Sequence, residues 1–223
     1  MIKLETGKVS TPRCVTNTLL EVGRKFVIKI FTTFYRRVVL VIRSLNDSIP
    51  DLRPSLPVAI TILIERDLEA YKIFRPDQSI HIIHERLKHG DRCFAVWHEG
   101  NIVHAGWVTT KQGYVPYLHR DMILRPGDIR LYDHYTLRAY RGCGLANARG
   151  AHVLRQYREE GCHRAIGIVA IENKAAFGPV KALGYRSIGM FKCIRLGPWQ
   201  WEWKQTWSNE PLPILTKEKL VGE

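Results

Sequence analysis

The stretch RAYRGCGLA, residues Arg138–Ala146, decides the fold that the sequence predicts. A strand pattern over Ile129–Leu137 precedes it, and a helix pattern over Leu145–Glu160 follows at once. Gly142 and Gly144 allow a tight turn, and the unpaired N–H groups of the helix start would face that turn. Junctions of this kind bind phosphate groups. The turn therefore predicts a pyrophosphate site, with an ordinary glycine turn that binds nothing as the alternative.

Two better-known phosphate-binding sequences do not fit this turn. It lacks the Lys-Ser/Thr pair that ends a P-loop, and it lacks the three spaced glycines of a dinucleotide-binding fingerprint. A short glycine pattern is weak by itself, so the assignment needs support from the rest of the chain.

The segments around the turn alternate between strand and helix patterns. Glu99-Gly100-Asn101 is a hairpin signal between two of the strands. The predicted strands are Pro57–Ile64, Cys93–His98, Ile102–Thr110, Ile129–Leu137, Arg164–Ile171, Arg186–Arg195 and Trp201–Trp207. The predicted helices are Asp67–Phe74, Ser79–His89, Leu145–Glu160 and Asn173–Leu183. Antiparallel strands followed by strand–helix–strand–helix–strand predict a mixed sheet with helices on its faces.

Prolines divide the chain. Pro50, Pro54 and Pro57 interrupt regular structure, and Pro211 and Pro213 punctuate the end. We therefore predict an N-terminal extension and linker at 1–56, a main domain at 57–209 and a C-terminal tail at 210–223.

The predicted extension holds two regular segments. Asn17–Phe34 is compatible with a helix, and the β-branched run Tyr35–Arg43 predicts a strand. Packing against the main domain is favoured over a membrane surface, which this basic and apolar segment would also suit. Tyr114–Arg125, between two predicted strands, is predicted to be an acceptor-site loop.

Composition limits the cellular setting and the partners. Lys and Arg number 34 against 21 Asp and Glu, a formal net charge of +13, which indicates either an anionic partner or a merely basic surface. Five scattered cysteines without a Cys-x-x-Cys pair, and an N-terminus without a secretory signal, predict a cytoplasmic protein. Charged residues interrupt the most apolar region, Lys25–Ile42, so no transmembrane helix is predicted.

Two motifs in register resemble the GNAT superfamily of N-acetyltransferases. The family signature, Arg/Gln-x-x-Gly-x-Gly/Ala, stands here as Arg141-Gly-Cys-Gly-Leu-Ala146. Asn173 and Ala176 match the family's Asn-x-x-Ala pattern, and the helix runs into Leu183-Gly-Tyr185, similar to the family's Leu-Gly-Phe/Tyr ending. The resemblance covers roughly 57–203. It implies an α/β (α+β) fold: a mixed, mostly antiparallel sheet with helices on both faces and splayed central strands.

The resemblance also implies acetyl-CoA as acyl donor and no metal. The pantetheine arm would lie in the gap between the splayed strands, and the Leu137 N–H would face the thioester oxygen. The residues implied in cofactor binding are Thr136, Leu137, Arg138, Arg141, Gly142, Cys143, Gly144, Leu145, Ala146, Asn173 and Ala176.

The implied chemistry is direct attack of a neutral primary amine on the thioester, which requires a base for the incoming ammonium. Strand alternation sends Asp133 and Tyr135 to one face of their strand and Tyr132, His134 and Thr136 to the other. Asp133 is the first candidate base, because a carboxylate is otherwise costly to bury in a strand, and His134 is the second. The family often places a Tyr as general acid seven residues after the Asn, where this chain has Val180.

Several alternatives stay open. The acceptor is a small-molecule or peptide amine of unknown identity. A longer-chain or acyl carrier protein-dependent acyltransferase would suit the basic surface, and an acidic carrier protein would then be a partner. A GNAT-fold module that binds acyl-CoA without catalysis is favoured slightly by Val180. A nucleic-acid binder would explain the charge but not the two motifs, so no nucleic acid is expected. A homodimer is one candidate assembly.

Overall fold

The computed structural model describes residues 35–196, 199–210 and 213–216. The strands are β1 Tyr35–Ser44, β2 Ala59–Ile62, β3 Arg92–His98, β4 Asn101–Thr109, β5 Gly113–Val115, β6 Arg120–Ile123, β7 Asp128–Thr136, β8 Arg164–Ala170, β9 Arg186–Leu196, β10 Trp199–Thr206 and β11 Ile214–Thr216. The α-helices are α1 Leu68–Phe74, α2 Ile80–His89, α3 Leu145–Glu159 and α4 Lys174–Ala182. Within these ranges no helix is long and apolar enough to cross a membrane.

Eight strands form the central sheet, in the order β10-β9-β1-β8-β7-β4-β3-β2. Among the strand pairs that the structure describes, β7 with β8 is parallel and the others are antiparallel. The predicted mixed, mostly antiparallel sheet is thereby confirmed.

Both faces of the sheet are covered. In β1, Val39 and Val41 pack toward α4, whereas the alternate residues Val38 and Leu40 pack toward a small second sheet. Helix α3 covers the same face as α4, and the helices α1 and α2 lie on the opposite face, where Tyr71 packs on strand residues of β3 and β4. The layers thus follow from the two-sided apolar pattern of the central strands.

Strand β1 lies inside the sheet, although its residues belong to the predicted extension. It pairs with β8 over Val38–Ser44 and with β9 over Tyr35–Ile42, so it has a neighbour on each side. Both of its faces are apolar, which is typical of a central strand rather than of an appendage. The prolines after it mark an irregular connection and not the edge of the folded unit. The predicted helix Asn17–Phe34 lies outside the described residues.

A three-stranded sheet, ordered β11-β6-β5, replaces the predicted loop Tyr114–Arg125 and part of the predicted tail 210–223. β11 pairs with β6 through Ile214–Thr216. Val115 and Met122 are fully buried against the central sheet. These apolar residues need cover from water, so the segment is a packed layer and not a free loop.

The strands β7 and β8 separate along their length. They pair only from Asp128–Arg130 to Arg164–Ile166, and the rest of each strand has no partner in the other. The predicted splay of the central strands is confirmed, and it leaves a gap bounded by the second half of β7.

Candidate active site

The predicted pyrophosphate turn lies where β7 ends and α3 begins. Gly142 and Gly144 have φ angles of 86° and 74°, in the left-handed region that favours glycine. Gly144 is the N-cap of α3, and no side chain caps the helix. The first bond within the helix runs from the Ala148 N–H to the Gly144 carbonyl at 3.0 Å. The main-chain N–H groups of Leu145, Ala146 and Asn147 therefore have no bond within the helix and are available to an anion at the turn.

The linker that precedes β2 supports this turn from behind. The Ser55 N–H donates to the Cys143 carbonyl at 3.0 Å. A Cβ atom added at Gly144 would lie 3.5 Å from the Arg53 carbonyl, an ordinary contact, and one added at Gly142 would meet nothing within 4 Å. The glycines are needed for their φ angles rather than for space, and the front of the turn at Gly142 is open.

Cations and an amide flank the gap. Arg138 and Arg141 are exposed, and the Arg141 Nε donates to the Thr136 carbonyl at 3.4 Å. Asn173 precedes α4, is exposed and does not cap that helix with its side chain. Ala176 is half-buried and packs in the cluster around Val39 and Val41. The two predicted motifs thus follow the two strands that bound the gap. The glycine turn comes after β7, and the motif of Asn173 and Ala176 comes after β8.

The predicted oxyanion donor is occupied. The Leu137 N–H donates to the Val103 carbonyl of β4 at 3.0 Å, so it points away from the gap. Neighbouring residues of a strand turn their main-chain groups to opposite sides. The main-chain N–H and carbonyl of Thr136 therefore face the gap. The bond from the Arg141 Nε to the Thr136 carbonyl agrees with this direction. The main chain of Thr136, and not the N–H of Leu137, is therefore the one that a ligand in the gap could contact.

A bulge interrupts β7 beside the gap. Tyr132 pairs with Trp107 and Tyr135 with Ala105, so the two intervening residues oppose Gly106 alone, and Asp133 has a φ of 48°. The bulge places Tyr132 and Tyr135 in one apolar cluster with α1. The predicted alternation is wrong for Tyr132, because one extra residue reverses the faces.

Asp133 points to the α1 and α2 face and is saturated with donors. Arg86 Nη1 and Gln78 Nε2 each donate to its Oδ2 at 2.6 Å, and Arg75 Nη1 donates to its Oδ1 at 3.3 Å. Burial alone would raise the pKa of Asp133, but the contacts with Arg86, Gln78 and Arg75 outweigh it and hold the pKa below 3.8. A carboxylate so held is a weak proton acceptor, which argues against the predicted role as base.

His134 points to the opposite face. Arg149 Nη2, on α3, donates to its Nδ1 at 2.6 Å. The residue is exposed, yet burial by the surrounding protein lowers the pKa of its ring well below 6.5, and Arg149 and Arg130 lower the pKa further. Gly106 makes the contact possible, because a Cβ there would lie 2.4 Å from the His134 Nδ1. The predicted role as base is disfavoured here too, since the nitrogen that would gain the proton faces a cation.

The sequence did not predict a role for Arg149 or His104, two buried residues that lie beside His134. Arg149 is 2% exposed and His104 is 1% exposed, and Arg149 Nε donates to His104 Nε2 at 3.0 Å. One signal was available: Arg149 lies four residues after Leu145, on the helix stripe that also carries the apolar Ala148. A cation on an apolar stripe indicates a specific partner in the core.

The position of the missing Tyr is apolar in the structure as well. Val180 packs in the cluster around Val39, Val41 and Val169. Burial raises the pKa of Tyr185, the nearest tyrosine downstream, which makes its phenol a weaker acid than a free tyrosine.

Comparisons with known proteins agree with this geometry. The family model of the acetyltransferase (GNAT) family matches residues 60–185. No curated protein matches the chain. A solved GCN5-related N-acetyltransferase from Sphaerobacter thermophilus has a similar fold, with a TM-score of 0.50 and 15% identity over 74% of this chain and 54% of its own. The glucosamine N-acetyltransferase region of a fungal multi-domain β-N-acetylglucosaminidase has a TM-score of 0.51 and 14% identity over 77% of this chain and 22% of its own.

These two likenesses concern the fold. The chain spans about half the length of the Sphaerobacter thermophilus protein and about a fifth of the fungal one.

Proposed function

The chain belongs to the acetyltransferase (GNAT) family, and from that premise we propose that it transfers an acetyl group from acetyl-CoA to the primary amine of a small molecule or peptide. The observation that carries the proposal is the uncapped start of α3 beside the gap between β7 and β8. A turn that offers main-chain N–H groups to an anion, next to a gap that an extended arm can enter, suits a nucleotide with a pantetheine arm.

The residues of the turn fit the pyrophosphate. The N–H groups from Gly142 to Ala146 would hold it, since the predicted Arg141 N–H already donates to the Arg138 carbonyl at 3.4 Å, and the exposed Arg141 side chain would add a cation. The main-chain groups of Thr136 and the Arg138 stretch would pair with the pantetheine arm, and Asn173 would contact it from the β8 side. Ala176 would contribute packing behind Asn173 rather than a direct contact, since it is half-buried in its cluster.

In the proposed reaction the amine nitrogen attacks the thioester carbonyl carbon, the C–S bond breaks, and its electron pair stays on sulfur. Asp133 and His134 are both held by cationic donors, so we propose that water accepts the proton lost by the amine. The Thr136 N–H would donate to the carbonyl oxygen as it gains charge. Asp133 would fix Arg75 and Arg86 on the α1 and α2 face of the strand.

A thiol-release assay with acetyl-CoA against a panel of amines tests this function. We expect turnover with at least one primary amine, and we expect acetyl-CoA to raise the melting temperature. Arg141→Glu should lose both effects, whereas Arg66→Glu, at an exposed arginine outside the site, should keep them.

The same assay separates the alternatives. Butyryl-CoA, palmitoyl-CoA and an acylated carrier protein test for a longer-chain or carrier-dependent enzyme. Binding of acetyl-CoA without thiol release from any amine would indicate a binding module, and no binding at all would overturn the proposal.

A further inference from the structure

Arg149 is a buried cation without a carboxylate partner among the described residues. Its Nε and Nη2 donate to two histidines, and its Nη1 is buried without a hydrogen-bond partner. Burial lowers the pKa of Arg149 to about 10, so it is still charged near neutral pH. An unpaired charge in the core is costly, so this arrangement needs a compensating function or ligand.

The hydrogen bonds of Arg149 fix the tautomers of both histidines. A guanidinium has donors only, so each ring nitrogen that it contacts accepts. The neutral His134 ring therefore accepts at Nδ1 and carries its proton on Nε2. The His104 ring accepts at Nε2, carries its proton on Nδ1, and donates it to Thr136 Oγ1 at 2.7 Å.

His134 lies beside the gap. β7 pairs with β8 no further than Arg130, so His134 stands on the part of the strand that bounds the opening. Its Nδ1 is bonded to Arg149, and the residue is exposed, so Nε2 is the ring nitrogen that remains for a ligand. Thr136, whose main-chain groups face the gap, is two residues further toward the turn. An arm that runs from the turn along β7 would reach Thr136 and then His134.

We propose that His134 is a catalytic residue whose Nε2–H donates a hydrogen bond to the thioester sulfur as the C–S bond breaks, and that Arg149 is the positioning residue that holds this tautomer. The inference rests on the proposed function. The C–S electron pair goes to sulfur, and His134 keeps its proton. The thiolate then takes a proton from water, and the proton of the attacking amine goes to water. The His134 N–H would thus stabilise the leaving sulfur, a task for which the apolar Val180 has no donor.

Affinity for the product tests the inference without any amine acceptor. We expect the wild-type protein to bind CoA about tenfold more tightly than desulfo-CoA at a pH where the thiol ionises, since a donor at sulfur favours the thiolate. His134→Ala should lose this preference while binding desulfo-CoA unchanged. His81→Ala, at an exposed histidine of α2, is the control and should keep it.

Each outcome has a separate meaning. An equal preference in His134→Ala and the wild type would overturn the inference and leave the proposed function intact. Failure of the wild type to bind either ligand would overturn the proposed function and the inference with it.

Turnover gives a second readout. His134→Ala should lower kcat about a hundredfold with little change in the affinity for acetyl-CoA, the usual effect of removing one preorganised donor. His134→Gln should recover part of the loss, because its amide can accept from Arg149 and still donate. Unchanged kcat in His134→Ala would overturn the inference.

The tautomer is measured on the wild type, so an unfolded Arg149 variant would not obscure the result. Long-range ¹H–¹⁵N NMR near neutral pH should find Nδ1 unprotonated and Nε2 protonated, because the groups that face the ring are Arg149 from α3, His104 from β4 and Arg130 from its own strand. In Arg149→Lys, if it folds, the ring should exchange between tautomers. A proton on Nδ1 in the wild type would overturn the inference.

Discussion

The turn Arg141–Ala146 and the bulge Asp133–His134 lie close together along the chain but work by different means. In the turn the proposed binding groups are main-chain N–H groups of consecutive residues, set by two glycine φ angles and a helix start. In the bulge they are side chains, each held by residues more than a dozen positions away. We infer that the turn tolerates most side-chain changes away from its glycines and Arg141, whereas the bulge depends on its distant partners.

The two residues of the bulge differ in what they leave free. Asp133 uses both carboxylate oxygens on three donors of the α1 and α2 face. His134 uses one nitrogen on Arg149 and leaves the other available on the α3 face. The first therefore acts as a structural centre and the second as a candidate donor.

The largest effect is expected at the bulge, from Asp133→Ala. Removing the carboxylate leaves Arg75 and Arg86 without their shared counter-charge at a site where the Asp133 side chain is only 22% exposed. We expect the free energy of unfolding in urea to fall by about 3 kcal/mol. Asp51→Ala, which removes ion pairs with Arg53 and Arg155 near the surface, should change it by less than about 1 kcal/mol. Equal effects would show that the bulge is no structural centre.

The contribution of Asp133 to stability should also depend on pH. Its pKa is lowered in the folded state, so the contribution is fully present above the ordinary value of 3.8 and is lost as the pH falls through the folded pKa. Urea unfolding of the wild type and of Asp133→Asn should therefore differ at pH 7 and converge in acid. A difference that persists in acid would contradict the lowered pKa.

The next effect is expected at the turn, from Arg141→Glu. Replacing an exposed cation by an anion removes a charge-assisted hydrogen bond and repels the phosphates, so we expect the affinity for acetyl-CoA to fall about a hundredfold. Calorimetry measures the affinity, and urea unfolding without ligand should be unchanged. Unchanged affinity would place the nucleotide elsewhere, and the contrast between turn and bulge would fail.

A smaller effect is expected from Gly144→Ala. The space for a Cβ atom is adequate, so the change should lower stability by about 1 kcal/mol through the φ of 74° alone. It should also weaken acetyl-CoA binding, because the helix start shifts. Gly161→Ala is a matched control with a φ of 86° and no atom within 4 Å of the added Cβ. It should lose similar stability and keep its affinity, and a loss of affinity there would contradict the assignment.

The smallest effect is expected from Cys143→Ala. Cys143 lies between the two glycines, and its carbonyl is the group that Ser55 contacts. Affinity for acetyl-CoA and turnover should each change by less than about twofold, because the proposed pyrophosphate site uses main-chain N–H groups and not the Cys143 side chain. Lost turnover with retained binding would instead indicate a covalent cysteine intermediate.

Local patterns were reliable wherever neighbours along the chain decide the structure. The hairpin, the helices α1 to α4 and the strand before the turn agree with their predicted bounds within a few residues. The predicted domain limits depended on prolines, which report local irregularity and not long-range pairing. Strand β1 and the small strand β11 therefore lay outside the predicted main domain.

The sequence by itself determined the glycine turn, the helix that follows it and the family signature, because backbone freedom and helix starts depend on consecutive residues. Only the tertiary structure decided which groups face the gap. The bond from the Leu137 N–H to Val103 turned that donor away from the gap, and the bulge at Asp133 changed the face of Tyr132. Arg149 contacts His104 from 45 positions away. The helix stripe indicated that Arg149 has a buried partner, but it could not identify His104, since burial and charge pairing act through space and not along the chain.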